Sequence, residues 1–311
     1  MVIQMKKCVI ICNPNSGKGS KKELIEKFLV VLEKKEYEAE VFFTKYGGHA
    51  KEIVKEIKDD VDLVISLGGD GTFNEVLTGN IKRKNPLLLS HIPLGTANDI
   101  GGMFGMGKNP VRNLEMVLDG KVKSLDICNI NNSPFFYVAG LGKFVDIAYD
   151  TPREKKKKFG YLAYMVNAAK SFTEKTKVFE MEYEINGEVY RGLFSLVLVC
   201  NATRMGGIDV FKEVKMDDDQ FEVLMTNITS KRDIIKSLYF LRTSDITKVP
   251  GFYFYRTNNL KIRLTEPPRK YWCIDGEKLK SDDLKYEISI IKGIKMLLPK
   301  KELPKLFKNE H

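Results

Sequence analysis

The chain has 311 residues, of which 43% are hydrophobic, and this composition excludes a disordered protein and allows one large or two ordinary domains. Lysine and arginine total 51 against 41 acidic residues, and the net charge of +10 favours a polyanionic partner: a nucleotide phosphate, a nucleic acid or an anionic membrane. The longest apolar runs are too short for a membrane span or a signal peptide. The five scattered cysteines form no C-x-x-C pair, which predicts buried free thiols in a reducing compartment.

The first part of the chain alternates predicted strands with predicted helices. Strand patterns occur in "KCVIIC", "EAEVFFT", "DLVISL" and "PLLLSHIP". Between them, "SKKELIEKFLVVLEKK", "GHAKEIVKEIKD" and "TFNEVLTGN" have apolar residues at helical spacing. This order predicts an α/β domain, in which helices pack against a parallel sheet.

The pattern changes after "KVKSLDICNI" to short alternating strands. Asn186-Gly187 lies between two of them and predicts a β-hairpin with a type I′ turn. Two helical patterns, "FGYLAYMVNAAKSFTEK" and "SKRDIIKSLYFLRT", interrupt the strands. We therefore place a boundary near Leu125 and predict a second, antiparallel and mostly β domain.

Three small polar loops follow strands of the first part. They are "NPNSG" at residues 13–17, "GGDGT" at residues 68–72 and "PLGTAND" at residues 93–99. Open α/β sheets bind ligands at the carboxyl ends of their strands, and glycine loops and helix N-termini bind phosphates. Each loop alone could be an ordinary turn. Three such loops at one sheet edge favour a nucleotide phosphate site.

Asp70 lies in the middle of the second loop, where a carboxylate would repel a triphosphate. A cation between the two removes this repulsion, and Mg²⁺ prefers carboxylate and phosphate oxygens. The loop therefore predicts a site for a nucleotide together with Mg²⁺.

The segments "GGDGTFNE", "NPNSGKG" and "PLGTAND", with the late "IDGEKL", resemble the bacterial diacylglycerol kinase and related lipid kinase family. This family shares its catalytic domain with sphingosine and ceramide kinases. The resemblance covers nearly the whole chain. It implies an α/β ATP-binding domain of the NAD kinase/diacylglycerol kinase type at residues 1–125, with residues 294–311 returning to it. It implies an antiparallel β-sandwich domain for the lipid substrate at residues 126–293.

The resemblance also implies roles for individual residues. Those expected around ATP are Asn13, Pro14, Asn15, Ser16, Gly17, Thr44, Gly68, Gly69, Asp70, Gly71, Thr72, Phe73, Asn74 and Thr96. Asp70 would act through the Mg²⁺ of ATP, supported by Asp99 and Asp126. Glu277 would be the general base that takes the proton of the lipid hydroxyl. From the residues alone, "IDGEKL" is a hairpin with a type I′ turn.

The segment "VKMDDDQFEVL" is an ordinary solvated turn by its residues alone. The resemblance implies a second, structural Mg²⁺ site there, formed by Lys215, Asp218 and Gln220. Asp219 stands where the family has a glycine, and aspartate adopts positive φ angles less readily than glycine does. The departure bears directly on whether this second metal site is kept.

The densest basic run consists of Arg153, Lys155, Lys156, Lys157 and Lys158. A solvated helix start is one interpretation of such a run. Aromatic and apolar residues follow it, and basic residues are attracted to anionic membranes. We therefore predict that the run contacts a membrane surface.

Together these features predict a cytoplasmic lipid kinase that is peripheral at the inner membrane face. It would transfer the γ-phosphoryl group of Mg-ATP to the hydroxyl of a diacylglycerol. One alternative is a kinase for another acceptor, either a sphingoid or ceramide-type lipid or NAD. The other is a non-catalytic, nucleotide-dependent membrane-binding protein. Nucleic acid is not expected as a partner, because it would leave the three loops unexplained, and a homodimer stays open.

Overall fold

The computed structural model describes residues 5–143, 176–205, 208–209, 211, 213–243, 250–268, 271–279 and 281–308. The basic run at Arg153 and residues 155–158 lies outside the described residues. The chain divides into two compact units, of which the first is Met1–Leu125 with Lys292–His311 and the second is Asp126–Ile291.

The described residues form seven helices, with most of them in the first unit. They are α1 (Lys21–Lys34), α2 (His49–Glu56), α3 (Asp70–Ile81), α4 (Asp99–Met103), α5 (Pro110–Leu118), α6 (Lys231–Thr243) and α7 (Leu303–Leu306). None of these helices has both the length and the apolar composition that crossing a lipid bilayer requires.

Strands of the first unit form a parallel sheet. They are β1 (Lys6–Cys12), β2 (Tyr37–Phe43), β3 (Leu63–Gly68) and β4 (Leu89–Pro93), in the order β2-β1-β3-β4. The buried side of α1, with Phe28 and Leu32, packs on a core that contains Ile10 and Ile65. Every residue of β3 and β4 is buried, as expected for parallel strands that are covered on both faces.

The second unit consists largely of antiparallel strands. Those that follow in the chain are β5 (Lys121–Ile130), β6 (Ser133–Phe135), β7 (Val138–Gly142), β8 (Phe179–Ile185), β9 (Glu188–Phe194), β10 (Leu196–Cys200), β11 (Arg204–Met205), β12 (Ile208–Asp209), β13 (Phe221–Thr226), β14 (Phe252–Thr257), β15 (Asn259–Leu264), β16 (Trp272–Ile274), β17 (Glu277–Leu279) and β18 (Lys285–Leu298). Strands β5 and β18 each cross the boundary between the units, and the last part of β18 pairs in parallel with β4.

Two antiparallel layers of the second unit share one hydrophobic core. One layer contains β18, β15, β8 and β9, and the other has the order β14-β13-β10-β7-β16-β17. Their buried side chains form a single cluster that includes Tyr183, Ile262, Val199, Val223 and Trp272. The predicted fold class, an α/β unit followed by an antiparallel β-sandwich, is confirmed.

Both predicted type I′ hairpins are present. Asn186 and Gly187 connect β8 to β9 with φ angles of 52° and 82°. Asp275 and Gly276 connect β16 to β17 with φ angles of 47° and 82°. Positive φ at both central residues is the defining property of this turn.

Helix α3 begins at Asp70, two residues before the predicted start at Thr72. Gly69 is its N-cap, so Asp70 occupies the first helical position, where a negative charge is stabilised by the helix dipole. The glycines on both sides of Asp70 gave no sequence signal of a helix start at this position. The five cysteines are all buried and none of them forms a disulfide, as predicted.

Candidate active site

Three of the predicted nucleotide-binding residues, at positions 13, 44 and 68, lie at the carboxyl ends of three neighbouring strands. Cys12, at the end of β1, is in register with Phe43 of β2 and Leu67 of β3. The next residue after β1, Asn13, donates its backbone N–H to Leu67 O at 3.0 Å, and Thr44 donates its own to Cys12 O at 2.9 Å. Residues 13, 44 and 68 therefore reach the same edge of the parallel sheet.

Asn13 connects the first loop to the second. Its side-chain Nδ2 donates to Thr72 Oγ1 at 3.1 Å, and its Oδ1 accepts the backbone N–H of Asn15 at 2.9 Å. The backbone N–H of Ser16 donates to Asn13 O at 3.2 Å, which closes the turn. The first loop is thus a compact structure attached to the N-terminal turn of α3.

The second and third loops meet at glycine residues. A Cβ atom on Gly95 would lie 2.9 Å from Gly69 Cα and 2.9 Å from Asn98 Oδ1, so a side chain there forces the backbone to move. Gly17 has φ of 69°, and a Cβ atom on it would lie 2.8 Å from Leu94 O. The loops approach each other this closely only because these residues have no side chains.

Asp70 joins the second loop to the third through its side chain. Its Oδ2 accepts the backbone N–H of Asp99 at 3.1 Å, and its Oδ1 accepts that of Ile100 at 3.3 Å. These are the first two residues of α4, so Asp70 provides acceptors for N–H groups that the helix itself leaves unpaired. A carboxylate oxygen can accept more than one partner, so these bonds are compatible with a metal ion or water on the same oxygens.

The remaining predicted nucleotide-binding residues differ in exposure. Pro14 and Thr96 are exposed, whereas Gly71 and Asn74 are half-buried. Phe73 is fully buried, and its ring lies 5.1 Å from the ring of His91. The side chain of Phe73 therefore belongs to the core, and only its backbone can face a ligand.

Two residues near these loops were not selected from the sequence. Glu75 Oε2 accepts the backbone N–H of Ala50 at 3.2 Å and so attaches α3 to the first turn of α2, beside the loop that contains Thr44. His91 lies on β4, fully buried, and burial lowers its pKa from 6.5 to about 3, so its ring is neutral. Glu75 belongs to the quoted segment "GGDGTFNE", but its partner lies 25 residues away.

Asp126 belongs to the second unit and fixes the acidic segment there. Its Oδ2 accepts the backbone N–H of Asp219 at 2.7 Å, and its carbonyl accepts Asn201 Nδ2 at 2.8 Å. Asp219 has φ of 62°, so this aspartate adopts the left-handed conformation for which a glycine was expected. The network that would link Asp126 to Asp70 and Asp99 stays a prediction.

The structure offers Mg²⁺ few protein ligands. Within the part of the chain that is described, no group of three or more His, Cys, Asp and Glu side chains could hold a metal ion. Mg²⁺ commonly uses one or two carboxylates together with waters and substrate phosphates, and Asp70 alone can supply one such carboxylate. Asp99 contacts Asp70 through its backbone N–H, so the support expected from its carboxylate stays a prediction. At the second predicted site, Asp218 Oδ1 accepts the backbone N–H of Gln220 at 3.1 Å. Asp219 adopts the left-handed backbone conformation that the family glycine was expected to provide at this second site. Lys215 is the third residue of the predicted site, and the metal there stays a prediction.

Glu277 is the first residue of β17 and directly follows the Asp275-Gly276 turn. It is exposed, and its backbone lies opposite Ile274 of β16. The structure therefore places the predicted base at an exposed position directly after a tight turn.

Glu222 is a buried carboxyl group in the second unit. It lies on β13 and is 2% exposed, and its Oε1 accepts a hydrogen bond from Arg256 Nε at 3.2 Å. Desolvation raises its pKa to about 7; Arg256 opposes this effect and Asp218 adds to it. This carboxyl group therefore changes its charge near neutral pH.

Glycine loops that converge at the carboxyl edge of a parallel sheet, with a helix N-terminus beside them, are typical of proteins that bind a phosphate-bearing ligand. Residues 7–130 match the family model of the diacylglycerol kinase catalytic domain. These residues contain all three loops.

Whole-chain similarities agree with this match. The chain is 28% identical to a diacylglycerol kinase of Staphylococcus epidermidis over 259 residues, which are 83% of this chain and 82% of that protein. It is 27% identical to a diacylglycerol kinase of Bacillus subtilis over 276 residues, or 88% and 90% of the two chains. A crystal structure of a diacylglycerol kinase from Bacillus anthracis str. Sterne shares the fold, with a TM-score of 0.77 and 24% identity over 95% of this chain and 98% of that one. The resemblance seen in the motifs is confirmed: the chain contains a diacylglycerol kinase catalytic domain and is similar over most of its length to proteins named diacylglycerol kinase, which supports a kinase.

Proposed function

We propose that this kinase transfers the γ-phosphoryl group of Mg-ATP to the hydroxyl of a diacylglycerol or a closely related lipid. The bond between the lipid oxygen and the γ-phosphorus forms, the bond from that phosphorus to the bridging oxygen breaks, and ADP leaves. The hydroxyl proton goes to Glu277. The observation that carries the proposal is the contact of the three loops through the Asn13–Thr72 and Asp70–Asp99 hydrogen bonds.

The loops supply the nucleotide half of the reaction. Backbone N–H groups at the start of α3 and in the first loop bind phosphate oxygens, because a helix N-terminus carries partial positive charge. Mg²⁺ held by Asp70, with Asp99 in support, would neutralise charge on the phosphates. The rigid contacts between the loops keep these donors in place before ATP binds, which reduces the ordering cost of binding.

Glu277 supplies the acceptor half. A general base must lie within hydrogen-bond reach of the proton that it removes, and it contributes a factor of about 10²–10⁴ to the rate. Glu277 is exposed at a hairpin tip, which leaves it accessible to the hydroxyl of a large substrate. Diacylglycerol is favoured as the acceptor because the relatives named above are diacylglycerol kinases.

A membrane surface is the proposed place of the reaction, because the acceptor is insoluble in water. The support for it is the sequence run of Arg153 and residues 155–158 within a chain of net charge +10. Each basic residue near an anionic surface contributes up to about 1 kcal/mol, and salt screens this attraction. The proposed contact is therefore reversible and peripheral.

The acceptor is tested by comparing several alcohols in separate reactions. The purified protein is incubated with γ-labelled ATP and Mg²⁺ in neutral micelles containing one acceptor at a time: a short-chain diacylglycerol, ceramide, sphingosine or NAD. We expect label in the phosphatidate at a rate well above that of the other products. A dominant label in phosphorylated NAD or a sphingoid base would reject diacylglycerol as the acceptor while keeping a kinase.

A further inference from the structure

We propose that Asp275 is a positioning residue, whose carboxylate fixes the turn that carries Glu277 and thereby sets the orientation of the base. The proposal rests on the proposed role of Glu277. Asp275 itself is not a catalytic residue, because its side chain is 4% exposed and already holds backbone groups of its own unit.

The carboxylate of Asp275 accepts three backbone N–H groups from consecutive residues. Its Oδ2 accepts that of Phe136 at 2.6 Å, and its Oδ1 accepts those of Tyr137 at 3.0 Å and Val138 at 3.1 Å. In return, the backbone N–H of Asp275 donates to Val138 O at 2.9 Å. Four hydrogen bonds thus join one turn residue to the segment that enters β7.

The turn alone does not require this side chain. A type I′ turn accepts Asn-Gly as well as Asp-Gly, because both first residues tolerate a positive φ. Three N–H donors directed at one group do require a carboxylate, since an amide offers only one acceptor oxygen and its NH₂ group would face a donor. Hydrogen bonds to an ionised acceptor are also roughly twice as strong as neutral ones. The structure therefore uses aspartate here for the attachment, beyond the geometry of the turn.

Asp275 lies two residues before Glu277, so its hydrogen bonds act on Glu277 through the backbone between them. Among the described residues, β16 pairs with β7 at Cys273 and Ile274, and β17 contains three residues, so the hairpin is short. The carboxylate bonds fix the turn at the point where the chain enters β17. A displacement of about 1 Å in a reacting group can cost about 10²-fold in rate. Loss of the attachment should therefore reduce turnover without weakening ATP binding, because the ATP loops belong to the other unit.

Two substitutions of Asp275 remove different numbers of these hydrogen bonds. Asp275→Asn keeps one acceptor oxygen, and we expect kcat to fall about 10-fold; Asp275→Ala removes all three bonds, and we expect about a 100-fold fall. The KM for ATP should stay within about twofold. Ser195→Ala is the matched control, because Ser195 is 1% exposed and its Oγ donates to Thr226 O and Ile228 O in the same unit. The control should lower stability while leaving kcat unchanged at a temperature where every variant is folded.

Combination with Glu277→Gln separates positioning from general stabilisation. If Asp275 acts through Glu277, adding Asp275→Asn to Glu277→Gln should lower the residual kcat by less than about twofold. A 10-fold further loss in that background, or a kcat for Asp275→Asn equal to that of the Ser195→Ala control, would overturn the proposal. Full activity of Glu277→Gln alone would instead reject the proposed base. The single Trp272, on β16 and 1% exposed, reports by its fluorescence whether the second unit of each variant is folded.

Discussion

Asp70 Oδ2 accepts a hydrogen bond from the backbone N–H of Asp99 at 3.1 Å, across a sequence separation of 29 residues. With the companion bond to Ile100, it makes one carboxylate the connection between the loop after β3 and the loop after β4. Asp70 therefore has a structural role in this protein alongside its proposed role with Mg²⁺. The two roles lead to separable expectations for its replacement.

Asp70→Asn should lower kcat about 10²-fold, because the neutral amide no longer attracts Mg²⁺ and keeps only one acceptor for the two N–H groups of α4. High Mg²⁺ concentration should restore part of the activity that is lost through the metal. The measurement is a Mg²⁺ titration of kinase activity for wild type and variant, with the melting temperature of each. Identical Mg²⁺ dependence with unchanged activity would remove Asp70 from the reaction.

Glu277→Gln should lower kcat by about 10²–10⁴-fold, or roughly 3–5 kcal/mol at the barrier, because it removes a general base. The change occurs at an exposed hairpin position, so the melting temperature should hardly move. Isothermal titration with ADP and Mg²⁺ should give the wild-type affinity. Near-wild-type turnover would show that the hydroxyl proton goes elsewhere.

Gly95→Ala tests the close approach of the second and third loops. The new methyl group would lie 2.9 Å from Gly69 Cα, and we expect a loss of about 1–3 kcal/mol in stability together with weaker ATP binding. Gly47→Ala is the matched control, since nothing lies within 4 Å of a Cβ atom there. Equal ATP affinity in the two variants would show that the contact does not shape the nucleotide site.

Glu222→Gln should change how stability depends on pH. The pKa of Glu222 is raised from 4.5 to about 7, mainly by desolvation. Between these values the unfolded chain loses this proton and the folded protein keeps it, so stability falls as pH rises from about 4.5 to about 7. The difference corresponds to about 3 kcal/mol at about 1.36 kcal/mol per pKa unit.

The glutamine variant lacks this titration, so its free energy of unfolding should decrease less between pH 5 and pH 8. Urea unfolding followed by Trp272 fluorescence measures this difference within the second unit. Glu184→Gln is the control, because the side chain of Glu184 is 42% exposed and pairs with Lys261 at 3.0 Å. Parallel stability curves for wild type and Glu222→Gln would contradict the buried titration.

Replacing Lys155, Lys156, Lys157 and Lys158 by Gln should weaken binding to anionic vesicles at low salt and slow turnover on them. Activity on a short-chain diacylglycerol in neutral micelles should be largely unchanged, because the loops and Glu277 are untouched. Vesicle co-sedimentation at increasing salt measures the effect, and salt should reproduce the defect in the wild type. Equal vesicle binding by both proteins would assign the run to a solvated face.

Local patterns predicted the parts of the protein that depend on neighbouring residues. The Asn186-Gly187 and Asp275-Gly276 turns follow from residue type, and α1 follows from the spacing of Phe28 and Leu32. The start of α3 was misplaced by two residues, because Gly69 and Gly71 lack the signals of a helix start.

The connections within each unit could not be predicted in this way. The partner of Asp275 at Tyr137 lies 138 residues away, and the partner of Glu75 at Ala50 lies 25 residues away. Such pairs form through tertiary packing, and the sequence around one residue does not indicate which residue is its partner. Burial of His91 likewise depends on the packing of Phe73 over β4.

Phosphoryl transfer itself is tested most directly by following the two labels of ATP separately. The wild-type protein is incubated with Mg²⁺, a short-chain diacylglycerol in neutral micelles, and ATP labelled either at the α- or at the γ-phosphorus. We predict labelled phosphatidate from γ-labelled ATP alone, dependent on Mg²⁺ and stopped by chelation. Folded, ATP-binding protein that yields no labelled phosphatidate from either ATP would contradict the proposed reaction.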